Sequence, residues 1–441
     1  MHWWLKGCTS AVWVGTVGGG AGNAEDGMAL LNRRVIRASS SVMSHHTVVT
    51  WEEGHLRAAV LHLTEGSGEI LGLAAAPVDG VTSSGHPDPD RWYAACERAL
   101  AQAEDMTQRV AGRKVVPDYV TMAIPSSVTR SVSVTDEIRR RNPRRPITLD
   151  EIGALLRRGY RRAQDRLDVR ARGSHEDIVA GSLAYVTLDG QPVSDPLGQV
   201  GDLVQVNLCF CLAPAEWMRT LQLISERLGL ELTAILPHHL ALASPIADAA
   251  ALMVLLEDSL TTINLARRGH VEWSSTIPCG ARELIDATVE ELGVPEQQLE
   301  ALLRAYRGGQ LREDVEQLMS RNFWRALRVW MSRLAEEIKA VAPEAHIPYR
   351  VYCHDVTGRV PEIVPALATP YWEQRLNVGR CPRIDALDPA AIHTVLDCTA
   401  QANGMAHLLI RSLVNYVAHL YAPGNELDRT LADSIRWRPG N

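Results

Sequence analysis

The sequence has no run of about twenty apolar residues, no CxxC pair and no excess of positive charge. The first absence argues against a membrane-spanning helix, which needs about 20 apolar residues to cross the hydrocarbon core. The second argues against a structural zinc site, and eight widely spaced cysteines fit reduced thiols in a cytosol. A net charge of −7 argues against a protein that coats nucleic acid.

The usual catalytic patterns are also missing. His238 and His239 are adjacent, so they lack the i, i+4 spacing and the third ligand of a catalytic zinc site. Ser126 and Ser127 have no G-x-S-x-G elbow around them, which argues against a hydrolase triad. We therefore expect neither a metal site nor a hydrolase.

The first 45 residues differ in character from the rest of the chain. Their composition is of mixed low complexity, and the apolar stretch at the start is broken where a signal peptide is continuous. We expect residues 1–45 to be largely disordered. The alternative is an extended gene start, with the true start at Met28 or Met43.

From Thr47 onward the pattern is that of a mixed α/β protein. Two apolar runs flank a charged turn around Gly54, which is typical of a β-hairpin, and helical and strand-like segments then alternate. One small unit rich in arginine interrupts this order, with thirteen arginines from Arg130 to Arg172. Within it, Thr148 and Glu151 form a capping box at the start of an amphipathic helix.

The arginine block has two interpretations. Clustered arginines can dock anionic lipid heads or an acidic peptide. Alternatively, interleaved acidic residues indicate a solvated helix face, which we slightly favour. Nucleic acid is disfavoured because the aromatics needed for base stacking are absent. The candidate partner-binding residues lie in one proline-punctuated loop, and we expect the fold to survive their joint change to serine: Arg139, Arg140, Arg141, Arg144 and Arg145.

Five blocks in the same order resemble the FtsA family of bacterial actin-like ATPases and its relative PilM. They include "ITLDEIGALLRRGYRRAQ", "DPLGQVGDLVQVNL" and "TTINLARRGHVEWSSTIPCGARELI". The resemblance covers about Val48 to Leu420. It implies an α/β, actin-like fold of two lobes with ribonuclease-H-like sheets and a small inserted FtsA-type subdomain. The implied divisions are 1–45 extension, 46–127 first lobe, 128–198 small subdomain, 199–248 first lobe continued, 249–420 second lobe and 421–441 tail.

The resemblance also implies two hairpins that grip nucleotide phosphates, each near an Asp-x-Gly sequence. In the first hairpin, Thr50 takes the place of the aspartate and Glu52 that of the glycine. In the second, Leu256 stands at the aspartate position and residues 258–260 replace the glycines. Glycine allows close approach of the backbone to phosphate, and a carboxylate cannot replace that approach. We therefore favour loss of nucleotide binding over rescue of a metal site by Glu257 or Asp258.

The remaining contacts that the resemblance implies are altered as well. His354 and Asp355 stand where a Gly-Gly-x loop is expected on the adenosine side, and between the lobes Ala281 replaces a second glycine. We interpret the cleft as a degenerate nucleotide site, with ATP and Mg²⁺ disfavoured as cofactors. Its candidate residues are Gly54, Glu257, Asp258, Thr261, Thr262, Gly280 and Gly358.

These observations predict an FtsA-like scaffold of bacterial cell division, a pseudo-ATPase that links a filament or envelope complex to the membrane. The alternatives are a PilM-like adaptor of type IV pilus assembly and an active actin-like ATPase with unorthodox loops. Enzymatic activity is left open, with a preference for none. Expected partners are proteins of a division or pilus complex, further copies of this chain and an anionic membrane surface. The expected location is the cytoplasm, at the inner face of the membrane.

Overall fold

The computed structural model describes residues 44–52, 54–78, 87–170, 176–341, 347–376 and 382–435. The expectation of disorder for residues 1–45 therefore falls almost wholly outside the described residues. His45 already begins the first strand.

The first sheet has six strands in the order β15-β3-β2-β1-β4-β9. Strands β1, β2 and β3 form an antiparallel meander, and β4 and β9 continue the sheet parallel to β1. The strands are β1 (His45–Glu52), β2 (His55–Thr64), β3 (Ser67–Pro77), β4 (Tyr119–Ile124), β9 (Glu231–Pro237) and β15 (Val395–Asp397). The helices packed with this sheet are α1 (Pro89–Val110), α3 (Ala215–Leu228), α4 (His238–Ala243) and α10 (Leu408–Leu420). We call this unit the first lobe.

The second sheet repeats the same plan with five strands in the order β12-β11-β10-β13-β14. Its strands are β10 (Ala251–Leu256), β11 (Thr261–Arg267), β12 (His270–Ile277), β13 (Arg350–Asp355) and β14 (Arg383–Ala386). Its helices are α5 (Ala281–Val289), α6 (Glu296–Arg307), α7 (Glu313–Val341), α8 (Ile363–Leu367) and α9 (Pro370–Leu376). We call this unit the second lobe. Two sheets built as a meander followed by parallel strands confirm the expected fold class.

The third sheet is smaller, with four strands in the order β5-β8-β6-β7. Its strands are β5 (Arg130–Arg139), β6 (Glu176–Leu188), β7 (Gln191–Val193) and β8 (Leu203–Pro214). Two helices contribute to its core, α2 (Leu149–Arg170) and α11 (Glu426–Ile435). We call this unit the small subdomain.

At three places the strands and helices do not follow the domain boundaries expected from the sequence. The small sheet extends past residue 198, because β8 lies between β5 and β6. The expected second lobe, 249–420, includes β15 and α10, which belong to the first lobe. Leu431 and Ile435 of the expected tail are buried in the core of the small subdomain. The apolar stripe of that tail is therefore core packing within the described residues.

Close packing against the first sheet explains why α1 lies where it does. Asp88 caps this helix, since its carboxylate accepts hydrogen bonds from the N–H groups of Asp90 and Arg91 at 3.1 and 3.2 Å. Gly72 of β3 lets the helix approach, because a Cβ there would lie 1.9 Å from the carbonyl oxygen of Ala103. Gly72 thus allows α1 to pack directly on β3.

Candidate functional site

The first hairpin, between β1 and β2, carries no carboxylate at the expected metal position. Thr50 is fully buried, and its Oγ1 shares a hydrogen bond of 3.2 Å with Nε2 of His238. Burial lowers the pKa of His238 to about 3, so the imidazole is neutral. Gly54 has the left-handed φ of +76° that the turn requires. This hairpin keeps its turn, and an uncharged threonine stands where the metal-binding aspartate is expected.

The glutamate at the glycine position of this hairpin is not directed at an open phosphate site. The Glu52 carboxylate lies 3.8 Å from Arg57, and its side chain is mostly buried. Arg57 in turn donates to the carbonyl oxygen of Ala406. The neighbouring Glu53 lies outside the described residues.

The second hairpin, between β10 and β11, holds a buried carboxylate that reaches the other lobe. Glu257 is only 7% exposed. Its Oε2 accepts a hydrogen bond from the backbone N–H of Ser127 at 3.1 Å, and Thr262 donates to Oε1 at 3.4 Å. Burial raises the pKa of Glu257 to about 7. Ser127 lies three residues after the end of β4 at Ile124, so this side chain crosses the junction between the lobes where β4 and β10 end. We call this junction the seam.

The carboxylate of Asp258 forms ion pairs with two guanidinium groups. Its carboxylate lies 2.5 Å from Arg282 and 3.3 Å from Arg359. Arg359 comes from the loop after β13 and also pairs with Glu300 at 2.8 Å. The adenosine-side loop is thereby tied to the second hairpin, and the carboxylate proposed as a metal ligand has charged partners of its own.

Gly280 allows the start of α5 to press against the second hairpin. A Cβ at this position would lie 2.4 Å from the carbonyl oxygen of Asp258 and 2.5 Å from the amide nitrogen of Leu260. The N–H groups of Ala281 and Arg282 donate to the carbonyl oxygens of Glu257 and Asp258 at 2.8 and 2.9 Å. Free N–H groups at a helix start are what bind phosphate. Here the hairpin backbone already satisfies them.

The two threonines of β11 point in opposite directions, as neighbours on a strand must. Thr261 donates to the carbonyl oxygen of Cys279 at 2.7 Å and accepts from Nε1 of Trp330 at 2.8 Å. It therefore belongs to the core of the second lobe. Only Thr262 faces Glu257 and the seam.

In the loop after β13, which the resemblance places on the adenosine side, backbone and side-chain groups donate hydrogen bonds to the loop's own carboxylate. Asp355 accepts from the N–H and O–H groups of Thr357 at 2.9 and 2.7 Å and from the N–H of Val360 at 2.6 Å. The N–H groups that could meet a ligand are thus occupied. Gly358 adopts a left-handed φ of +62°, and its carbonyl oxygen accepts from Arg307 at 2.8 Å.

A second loop of this chain has the same construction and serves as an internal comparison. After β15, Asp397 accepts from the N–H and O–H groups of Thr399 at 2.9 and 2.6 Å and from the N–H of Ala402 at 2.7 Å. The same turn therefore follows a strand in each lobe. This recurrence indicates that the Asp355 loop is a structural turn of this protein.

The seam itself encloses a small polar cavity of about 110 Å³. Seven of the nine residues that line it are serine or threonine, among them Ser126 and Thr262. Typical small-molecule sites have volumes of roughly 300–1,000 Å³. The cavity is therefore suited to water rather than to a nucleotide.

The structure brings together four of the candidate nucleotide-site residues around the β10–β11 turn: Glu257, Asp258, Thr262 and Gly280. Gly54 lies on the other hairpin, and Gly358 lies on the loop after β13. Sequence reasoning missed Ser127, Arg282 and Arg359 as their partners. No local signal identified them, since each is brought in by a contact between elements distant in sequence.

Comparison with solved structures places this geometry in context. One protein of a PilM–PilN type IV pilus biogenesis complex matches 89% of this chain and 99% of its own, with a TM-score of 0.53 and 11% identity. The ethanolamine utilization protein EutJ from Carboxydothermus hydrogenoformans matches 90% of this chain and 97% of its own, with a TM-score of 0.40 and 12% identity.

The fold is actin-like. A third match is a Bacteroides thetaiotaomicron protein described as having an actin-like ATPase fold and unknown function; it covers 74% of this chain and 96% of its own, with a TM-score of 0.29 and 8% identity. Neither a protein-family model nor a curated protein matches the chain. At these identities the comparisons show the fold alone.

Two searches of the described residues bear on other site types. No group of three or more His, Cys, Asp or Glu side chains there could hold a metal ion. In the same part of the chain, no helix has the length and apolar character needed to cross a membrane.

One of the five arginines predicted to bind a partner is a structural residue. Arg140 is only 6% exposed and donates to the carbonyl oxygens of Gly201, Arg145 and Pro146 at 3.1, 2.8 and 3.2 Å. It also pairs with Glu151 at 3.1 Å. The expectation that all five arginines can be replaced without harm to the fold is therefore wrong, because Arg140 holds the loop between β5 and α2 together.

The other four arginines of the loop are exposed. Arg139 pairs with Asp202 at 3.1 Å. Among the described residues, the side chains of Arg141, Arg144 and Arg145 have no hydrogen bond or ion pair. Val200, 55% exposed, lies on the adjoining loop, which is joined to this one by the N–H of Gly201 donating to Pro143 at 3.0 Å. We call Arg139, Arg141, Arg144 and Arg145 the basic tip.

The helical arginines of the block have a different role. Arg158, Arg162 and Arg166 of α2 donate to the carbonyl oxygens of Glu137, Thr135 and Ser133 on β5. The arginines are spaced by four residues of helix, about 6 Å, and the carbonyl groups by two residues of strand, about 6.8 Å. Each arginine along α2 therefore lies opposite the next carbonyl group along β5. Since β5 is an edge strand, this ladder covers carbonyl groups that would otherwise be open to pairing.

Proposed function

We propose that this protein is an actin-like scaffold that works without nucleotide and joins other proteins into a complex at the inner face of the cell membrane. The observation that carries the proposal is the Glu257 carboxylate, which accepts a hydrogen bond from Ser127 across the seam between the lobes. In an actin-like ATPase the nucleotide links the lobes at this place, according to the resemblance described above. Here a side chain of the protein makes that link.

The polar groups around Glu257 support the same proposal. The helix-start N–H groups of Ala281 and Arg282 donate to hairpin carbonyls. Asp258 is paired with Arg282 and Arg359. A phosphate placed at these N–H groups or at Asp258 would have to replace the contacts that they already make.

A role as a PilM-like adaptor of a type IV pilus or related envelope machine is the form of this proposal that we favour. Its support is the similarity over nearly the whole chain to a protein of the PilM–PilN complex, at a TM-score of 0.53. The FtsA-like role in cell division is the second candidate, supported by the resemblance of the "DPLGQVG" block. In both roles the protein acts through surfaces.

The basic tip is the surface that we propose for a partner. It presents three arginine side chains with no partner among the described residues, next to the exposed Val200. Such a surface suits an acidic segment of another protein, and its charge would mainly speed the encounter. The tip lies on the small subdomain, away from the seam.

Affinity capture of the tagged full-length protein from its native host tests this proposal. Captured proteins are identified and quantified with Mg-ATP present and after ATP is removed by apyrase and EDTA. The proposal expects the same envelope-complex proteins at the same yield in both conditions. Recovery that depends on ATP, or recovery of no protein above an empty-tag control, would contradict it.

A matched pair of variants tests the assignment of the surface. The triple change Arg141→Ser, Arg144→Ser and Arg145→Ser is expected to reduce capture at low salt. The control removes three exposed arginines elsewhere, Arg109→Ser, Arg219→Ser and Arg321→Ser. Equal capture by both variants would remove the basic tip from the proposal and leave the nucleotide-independent scaffold standing.

A further inference from the structure

A cavity of about 550 Å³, separate from the small cavity at the seam, lies at a junction of three parts of the molecule. It is bounded by the β11–β12 turn of the second lobe, by α4, α10 and the segment before β15 in the first lobe, and by the start of α11. Its volume falls within the roughly 300–1,000 Å³ typical of small-molecule sites. Thr261 begins β11 near the seam, and the β11–β12 turn at the cavity follows the other end of the strand, about 20 Å away at about 3.4 Å per residue.

The floor of the cavity is apolar. Leu240, Ile246, Ile392 and Leu420 line it, and all four are buried. Such a surface favours the hydrocarbon part of a ligand, since each buried CH₂ contributes about 0.8 kcal/mol.

The rim of the cavity carries one arginine and three histidines. Arg268, His270, His393 and His419 line it, and Asp428 is the one carboxylate among the described lining residues. Asp428 lies 3.8 Å from Nδ1 of His270. The Nδ1–H of His419 donates to the carbonyl oxygen of Asn415 at 2.9 Å, so in the neutral ring its Nε2 is an acceptor. Among the described lining residues, Arg268 is therefore the group that can bind an anion.

Arg268 stands in a backbone conformation that rarely holds an arginine. Arg268 and Gly269 are the two central residues of the β11–β12 turn, with φ values of +48° and +88°. Asparagine followed by glycine is the usual choice for such a turn, and a left-handed residue with a Cβ costs about 1–2 kcal/mol. The turn is pressed against the first lobe, since a Cβ on Gly269 would lie 2.9 Å from the carbonyl oxygen of Ser244.

The strained arginine has donors to spare. Its side chain is exposed, its Nη1 donates to Oγ of Ser194 at 2.7 Å, and within the described residues its Nε and Nη2 have no protein partner. A guanidinium and a carboxylate form paired hydrogen bonds, so a carboxylate in the cavity could accept from these two donors together.

We propose that this cavity binds a small amphipathic carboxylate, with its hydrocarbon part on the apolar floor and its carboxylate at Arg268. His393 and His419 line the same cavity and would pack beside the ligand. The proposal is independent of the nucleotide-free scaffold, because it concerns a different cavity and a different ligand.

Isothermal titration calorimetry with octanoate tests the site on the full-length protein. Octanol, which has the same chain without a charge, and butyrate, which has the charge on a short chain, are the two comparison ligands. We expect octanoate to bind and both comparison ligands to bind at least about ten-fold more weakly, in line with the loss of a charge-assisted hydrogen bond or of apolar contact. Absence of octanoate binding, or equal binding of octanol, would overturn the proposal.

Two variants separate the site from effects on folding. Arg268→Asn suits the turn and removes the guanidinium, so it is expected to keep the melting temperature and to lose octanoate binding about ten-fold or more. The double change His393→Gln and His419→Gln is expected to weaken binding without touching the turn. Arg219→Asn, on the surface of α3, is the control. Unchanged octanoate affinity in Arg268→Asn would contradict the assignment.

Discussion

The carboxylate of Glu257 accepts a hydrogen bond from the backbone N–H of Ser127 at 3.1 Å, although the two residues lie on different lobes and 130 positions apart. Glu257 directly follows β10, and Ser127 lies three residues after the end of β4 at Ile124. Because the two sheets share one plan, these strand ends meet at the seam. The contact joins the two lobes through a side chain of the protein itself.

Replacement of Glu257 by glutamine is predicted to change how stability depends on pH. The pKa of Glu257 is about 7 in the folded protein against an ordinary 4.5. Between these values the native state holds a proton that the unfolded state has released. The contribution of the neutral carboxyl group to the free energy of unfolding is therefore fully present below about pH 4.5. It is lost as the pH rises from there through 7, and the ionised form then costs about 3 kcal/mol.

Glutamine is neutral throughout this range, so Glu257→Gln should gain stability relative to the natural protein as the pH rises from 5 to 8. Urea unfolding at four pH values measures the difference. A constant difference between the two proteins over this range would show that Glu257 does not titrate at the seam.

Gly280→Ala is predicted to destabilise the second lobe by about 1–3 kcal/mol, the usual cost of overpacking. The added Cβ would press on backbone atoms of Asp258 and Leu260, which cannot rotate away as a side chain can. Gly404→Ala is the matched control, since a Cβ there meets nothing within 4 Å. Equal unfolding midpoints for the two variants would show that the hairpin can retreat from α5.

Loss of the helical arginines is predicted to cost far more than loss of the basic tip. Asp136 is 1% exposed and is held by Arg158 and Arg162 at 2.5 and 2.7 Å. Changing both arginines to glutamine leaves a buried charge with weaker partners, which should cost about 3 kcal/mol. Changing Arg144 and Arg145 to glutamine removes the same charge from the surface and should cost under about 0.5 kcal/mol.

Denaturant unfolding of the two double variants measures this contrast. If both lose the same stability, the arginine ladder along β5 is no more than a solvated helix face, as the sequence alone allowed.

The mixed α/β pattern was predictable because buried strands and amphipathic helices leave periodic traces in the sequence. The actin-like fold was expected only from the resemblance of several sequence blocks to the FtsA and PilM proteins. The sheet to which β8 belongs was not, since its residues from Asn207 to Ala213 are buried on both faces and show no alternation. The same limit applies to α10, which returns to the first lobe through a contact that no local pattern encodes.

The altered phosphate hairpins could be recognised from missing glycines and a missing aspartate. What replaces the ligand could not be recognised, because it depends on where side chains meet in space. Arg140 looks like its exposed neighbours in sequence, yet four acceptors from three segments surround it. Asp258 entered the sequence analysis only as a disfavoured metal ligand, and its pairing with Arg282 and Arg359 left no trace in the sequence.

Calorimetric titration of the full-length protein with Mg-ATP tests the central claim most directly. The cleft is occupied by its own contacts: Glu257 with Ser127, Asp258 with two arginines, and the start of α5 with the second hairpin. The account predicts no binding of Mg-ATP in the micromolar range. A clear isotherm with a Kd near about 1 μM, which corresponds to about −8 kcal/mol, would contradict it.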